Sequence, residues 1–99
     1  MSETEIHVFA HGIAAPGHAD AVRIIVTELA AQARKEPGNL HYMVHEAEPG
    51  DFYFFEVYQD QAAVDSHMAS AHFQSAAASF GPLLAKPPHI VTTKLIAGG

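Results

Sequence analysis

The stretch VDSHMASAHFQSAA, residues 64–77, places His67 and His72 among small and apolar residues. Two imidazoles so placed could ligate a metal, act as an acid/base pair, or simply pack. Ala63, Val64, His67, Met68 and Ala71 fall at i, i+1, i+4, i+5 and i+8, which is one stripe of a helix, and the apolar one. His67 is therefore expected to face the interior, where an imidazole must find a hydrogen-bond partner or stay neutral. His72 lies five residues on, roughly 140° around a continuous helix. The pair is a poor chelate unless the helix breaks at Ser70, and even then no well-spaced carboxylate completes a site. His7/His11 and His41/His45 share strand faces at i, i+4, but roughly 13 Å apart, too far for one ion to bridge. No metal is expected. Glu56 is the one carboxylate inside the apolar run FYFFEVY. Burying it is costly unless it is hydrogen-bonded or paired. It serves either as a structural bond to a tyrosine, a histidine or a partner subunit, or as a group that orients an imidazole or accepts a proton. The chain contains no glycine-rich phosphate loop, no GxSxG elbow and no HExxH. It has no cysteine, which excludes disulfides and thiol catalysis.

These residues need elements to hold them. EIHVFAHGI (5–13) alternates as a strand, and Pro16-Gly17 breaks the chain after it. Residues 18–35 predict an amphipathic helix, with Val22, Ile25, Val26, Leu29, Ala30 and Ala33 on the buried face. Asp20 in its first turn and Arg34 and Lys35 in its last suit the helix dipole, and Pro37-Gly38 ends it. NLHYMVHE (39–46) predicts a second strand, with Leu40, Tyr42 and Val44 on one face and Asn39, His41, Met43 and His45 on the other. A turn at Glu48–Asp51 leads to a third strand, 52–59, in a hairpin with the second. Asp60 is a good N-cap for a helix over about 61–70, and Ser70 for another over about 72–81, with Phe73, Ala76, Ala77 and Phe80 on one face. HIVTTKLI (89–96) predicts the last strand. The order βαββαβ, with the second helix in two pieces, predicts an α+β, ferredoxin-like fold: a four-stranded antiparallel sheet with helices on one face. The third strand is apolar on both faces apart from Glu56. One layer of helices covers only one face, so the other needs a partner, and a homodimer packed sheet against sheet is expected.

Composition narrows the function. Ninety-nine residues, nearly half of them apolar, suit a single domain over 1–99. No apolar run reaches the ~18 residues that cross a bilayer, and the N-terminus has no basic-then-apolar leader. A cytoplasmic protein without membrane attachment is expected. The formal charge is −6 and the five Lys and Arg are scattered, which argues against nucleic acid. Eight histidines would carry the formal charge from −6 to +2 on full protonation, so some pH sensitivity below ~6.5 is expected.

EPGNLHYMV (36–44) followed by FYFFEVYQDQAAVDSHMASAHF (52–73) resembles the antibiotic biosynthesis monooxygenase family. The shared pattern is E-x-G-x-L-x-Y, an aromatic strand with E-x-[YW]-x-[DS], then A-x-x-x-H-x-x-[ST]-x-H-[FY]. The ordered set is specific, although no single element is, and the likeness spans almost the whole chain. It implies a dimeric α+β barrel of ferredoxin-like subunits. It also implies either a small monooxygenase that oxidises quinols or aromatic polyketides without metal or flavin, an enzyme that processes a phosphorylated hydroxyketone of the autoinducer-2 type, or a haem-degrading protein. The haem-degrading branch carries an axial histidine where this chain has Ala77 and a tryptophan where it has His67, so haem is not expected. The leading expectation is a cofactor-independent monooxygenase using molecular oxygen on a small phenolic or quinol substrate. The alternatives are an isomerase for the phosphorylated hydroxyketone and a non-catalytic ligand-binding barrel. Oxygen is a triplet and reacts slowly with closed-shell molecules, whereas a deprotonated phenol is a far better electron donor. The site therefore needs a dry pocket, a base and a donor to hold the anion. The expected catalytic residues are His67 and Glu56. Asn39, Tyr58, His72, Met68 and Phe80 are expected to contact or orient the substrate.

Overall fold

A computed structural model describes residues 4–99. Strand β1 (Ile6–Ile13) leads into helix α1 (Ala19–Ala33), then to the hairpin of β2 (Asn39–Glu46) and β3 (Asp51–Tyr58). Helices α2 (Gln61–Ala69) and α3 (Ala71–Phe80) follow, then a single 3₁₀ turn at Gly81–Leu83 and strand β4 (His89–Thr93). All neighbouring strands are antiparallel, in the order β2-β3-β1-β4. This is the ferredoxin-like α+β fold expected from the sequence. The last strand is shorter than its pattern predicts. It ends at Thr93, opposite His7, where β1 is one residue from its own start.

The helices lie on the sheet face that carries Ile6 and Val8 of β1, Tyr42 of β2, and Phe52, Glu56 and Tyr58 of β3, all buried. Val22, Val26, Leu29 and Ala33 of α1 are buried on it at helical spacing, as the sequence stripe predicts. Burying side chains such as Leu29, Phe52 and Tyr58 supplies about 1.5–3 kcal/mol each.

Three local devices fix the approach of these elements. Gly50 adopts φ 88°, a conformation that favours glycine, and its N–H donates to Glu46 at 2.8 Å in the β2–β3 turn. Glu46 in turn accepts two hydrogen bonds from Arg23 of α1, both at 2.7 Å, which ties that helix to the hairpin. Gly38 permits the closest contact: a Cβ there would lie 2.4 Å from the Ala63 Cβ of α2.

Two sequence expectations are corrected. The helix ends at Ala33, so Arg34 is its C-cap rather than part of its last turn, and the Arg34 side chain donates to the Leu40 carbonyl at 2.8 Å. In β2 the face assignment of Asn39 and Leu40 is reversed. Tyr58 pairs with Asn39 and Val57 with His41, leaving Leu40 as the extra residue of a bulge. Asn39 is therefore buried and Leu40 partly exposed, while Tyr42 faces inward as expected.

Candidate functional site

A cavity of about 170 Å³ lies between the helices and the inner face of the sheet. Its walls are almost wholly apolar, with Val26 and Leu29 from α1, Phe52 and Phe54 from β3, and Phe73 and Phe80 from α3. Glu56 and Tyr42 are its polar lining residues. Glu56 comes to this wall by strand alternation: it shares the inward parity of Phe52, Phe54 and Tyr58. Its carboxylate accepts a hydrogen bond from the Tyr58 hydroxyl at 2.6 Å. Burial pushes the Glu56 carboxyl up from 4.5 to about 7; the Tyr58 bond opposes that rise and the nearby Glu36 charge adds to it. The hydroxyls of Tyr42 and Tyr58 are driven well above the usual phenol range, chiefly by burial and then by Glu56.

His67 projects inward from α2 and is only 2 % exposed. Its ring packs on Phe73 with centroids 5.0 Å apart, on Tyr58 at 5.5 Å and on Tyr42 at 5.6 Å. Its Nδ1 donates to Glu36 Oε2 at 2.8 Å, and His72 Nε2 donates to the same oxygen at 2.5 Å. A carboxylate only accepts, so both nitrogens carry the proton. The two histidines meet because the helix does break at Ser70, which takes extended dihedrals of φ −66° and ψ 150°. The Ser70 hydroxyl donates to the His67 carbonyl at 2.6 Å and accepts from the Phe73 N–H at 3.2 Å, capping one helix and starting the next. Glu36, in the turn after α1, opens the E-x-G-x-L-x-Y segment of the family pattern but is not among the residues the sequence places at the site. It lies 31 residues before His67, and no local pattern links the two.

The sequence-expected site thus divides. Glu56 and Phe80 line the cavity, whereas His67, His72, Asn39, Tyr58 and Met68 do not. Phe73 and Tyr42, which do line it, pack against His67. Tyr58 acts on the site from behind, through Glu56. Asn39 is occupied by the backbone, donating to the His41 carbonyl at 3.0 Å and accepting from Arg34 at 3.3 Å. Met68 is corrected to a surface residue, 40 % exposed, because the buried side of α2 is confined to Val64 and His67 and Met68 lies one position round from it. His72 lines a separate groove between α1 and α3, with Gln32 and Ala76. The expectation that no carboxylate accompanies the His67/His72 pair is also corrected. Glu36, His67 and His72 each offer one ligand atom, and these lie within 4.8 Å of one another.

The family model described as antibiotic biosynthesis monooxygenase matches residues 6–79, from β1 to the last turn of α3. The chain belongs to the antibiotic biosynthesis monooxygenase family. A Mycobacterium tuberculosis relative named "Putative monooxygenase Rv0793" is 30% identical over 83 residues, 83% of this chain and 82% of that protein. Its solved structure superposes with a TM-score of 0.91 at 25% identity, covering 96% of this chain and 98% of that one. "Putative monooxygenase YcnE" of Bacillus subtilis is 36% identical over 69 residues, 68% of this chain and 73% of the relative. An uncharacterised Synechocystis protein is 38% identical over 65 residues, and this chain matches 44% of its length. The solved structure of PA3566 from Pseudomonas aeruginosa matches with a TM-score of 0.88 at 31% identity, over 95% of this chain and 96% of that one. No helix among the described residues is long and apolar enough to cross a membrane.

Proposed function

We propose that this family member is a cofactor-independent monooxygenase for a single-ring phenol or quinol. The observation that carries the reading is Glu56, a carboxyl held near pKa 7 in the wall of an otherwise apolar cavity. A general base works best with its pKa close to the operating pH. Here the base stands where a substrate hydroxyl would arrive, and Tyr58 fixes its orientation. Proton transfer to Glu56 turns the phenol into a phenolate, which donates an electron to oxygen far more readily. In the overall reaction a phenol and O₂ give a quinone and water. The substrate itself supplies the electrons, so no flavin or metal is needed as a reactant. The dry walls keep the radical and peroxide stages from water. A volume of about 170 Å³ suits one aromatic ring, since cavities of ~150 Å³ admit benzene.

His67 stands one side chain behind the wall, through its contacts with Phe73 and Tyr42. We assign it a positioning role and give the proton-accepting role to Glu56. No Lys or Arg is among the described residues lining the cavity, so a phosphorylated hydroxyketone would enter without a countercharge.

The assembly proposed is a homodimer that buries the outer face of the sheet. Phe9, Met43, Tyr53 and Val91 are exposed together on that face, opposite the helices. An apolar patch of this kind on a small protein marks an interface.

Oxygen uptake with a panel of hydroquinones and phenols tests the reaction. Uptake by the wild type that falls at least ~100-fold in Glu56→Gln fits the proposal. Equal rates for the two proteins would remove Glu56 from the mechanism, and no uptake with any member of the panel would refute the oxygenase reading.

A further inference from the structure

We infer that Glu36, His67 and His72 form a binding site for one divalent transition-metal ion of the zinc class, separate from the substrate cavity. The donor set is two imidazole nitrogens and one carboxylate oxygen, Nδ1 of His67, Nε2 of His72 and Oε2 of Glu36, all within 4.8 Å of one another. Two imidazoles and one carboxylate are suited to Zn²⁺, Co²⁺ or Fe²⁺, whereas Ca²⁺ and Mg²⁺ demand more oxygen ligands.

The spacing of the carboxylate from each imidazole needs little adjustment. Around a tetrahedral ion with bonds of about 2.0–2.1 Å, ligand atoms stand ~3.3 Å apart. Glu36 Oε2 now lies 2.8 Å from His67 and 2.5 Å from His72, where the two N–H groups share it. Withdrawing the carboxylate by less than ~1 Å, with loss of those two protons, opens the coordination position.

The ligands are held before any ion arrives. Glu36 sits in a tight turn whose ends are closed by its own N–H on the Ala33 carbonyl at 3.0 Å and by the Asn39 N–H on the Glu36 carbonyl at 3.1 Å. His67 is fixed by burial among aromatic rings, and the Ser70 break aims His72 at the same point. Among the described residues, Glu36 is paired with the two histidines and with no Lys or Arg, so no fixed cation competes for it. The His72 side chain is 25 % exposed, which gives the ion a route in and a water a place as fourth ligand.

None of the three ligands lines the cavity, so the ion is not a reactant in the proposed oxidation. It ties the turn after α1 to α2 and α3, and its effect is on stability. The inference therefore stands whether or not the chain oxidises phenols.

The test uses the full chain, stripped with a chelator and titrated with Co²⁺, then with Zn²⁺. One equivalent of Co²⁺ per chain is expected, with visible d–d bands of tetrahedral or five-coordinate geometry that Zn²⁺ abolishes. Zn²⁺ at a hundredfold excess over its Kd should raise Tm on the order of 10 °C. His72→Ala and Glu36→Gln, which leave the buried imidazole in place, should each weaken binding at least ~10-fold. His45→Ala, on the outer sheet face, should not. Absence of Co²⁺ bands at ~100 µM metal would overturn the inference. So would binding that survives both His72→Ala and Glu36→Gln, because it would place the metal on the other histidines.

Discussion

Replacing Glu56 by glutamine separates the cost of burying this carboxylate from everything else it does. In the folded chain burial lifts its pKa from 4.5 to about 7. Between those two values the folded state holds a proton that the unfolded state has lost, so stability falls as pH rises through the window. At about 1.4 kcal/mol per pH unit, the full penalty above pH 7 is about 3 kcal/mol. Gln keeps an oxygen to accept the Tyr58 hydroxyl and never ionises, so the penalty disappears while the 2.6 Å bond can persist. The variant should thus match the wild type at about pH 4.5 and exceed it by about 3 kcal/mol at about pH 8.5, a gain in Tm on the order of 10 °C. Urea unfolding of both proteins at half-unit pH steps measures the gap directly. A gap that stays constant within ~0.5 kcal/mol across the series would refute the raised pKa, and with it the argument for a base poised near neutrality. In the wild type, the same ionisation should make oxygen uptake rise with pH through about 7.

Gly38→Ala should destabilise the chain by about 1–3 kcal/mol in chemical denaturation, because the new methyl would meet Ala63 at 2.4 Å. In an Ala63→Gly background, which itself costs about 1 kcal/mol in helix α2, Gly38→Ala should cost much less, and an undiminished cost there would show that the contact is not the cause. Ala77→Phe places a ring at the cavity wall and should cut phenol binding more than ~10-fold by calorimetry, with α3 still folded by circular dichroism. Phe9→Glu puts a charge in the centre of the outer sheet face. The wild type should sediment at twice 10.6 kDa and this variant at 10.6 kDa, whereas a wild type already at the lower mass would contradict sheet-to-sheet pairing.

Periodicity and capping are legible in the amino-acid order alone. The α1 stripe, the hairpin, the Asp60 and Ser70 caps and the inward placement of His67 are local consequences of alternation, helical spacing and side-chain oxygens near free N–H groups, whereas the sheet face that Glu56 takes is not. The family resemblance rests on the motifs at 36–44 and 52–73, which lie within the residues the family model matches. Tertiary structure alone decided which of those inward groups meets the cavity. Glu56 reaches it because the sheet presents that side of β3 to open space, whereas α2 sets His67 behind Phe73 and Tyr42. The bulge at Leu40, which inverts Asn39, arises from strand pairing and leaves no mark on the β2 pattern. Glu36 joins His67 and His72 only when the turn after α1 packs beside α2 and α3. A contact between residues 31 and 36 positions apart has no period to announce it, so the carboxylate that opens the E-x-G-x-L-x-Y segment becomes the centre of a two-histidine cluster only in the folded chain.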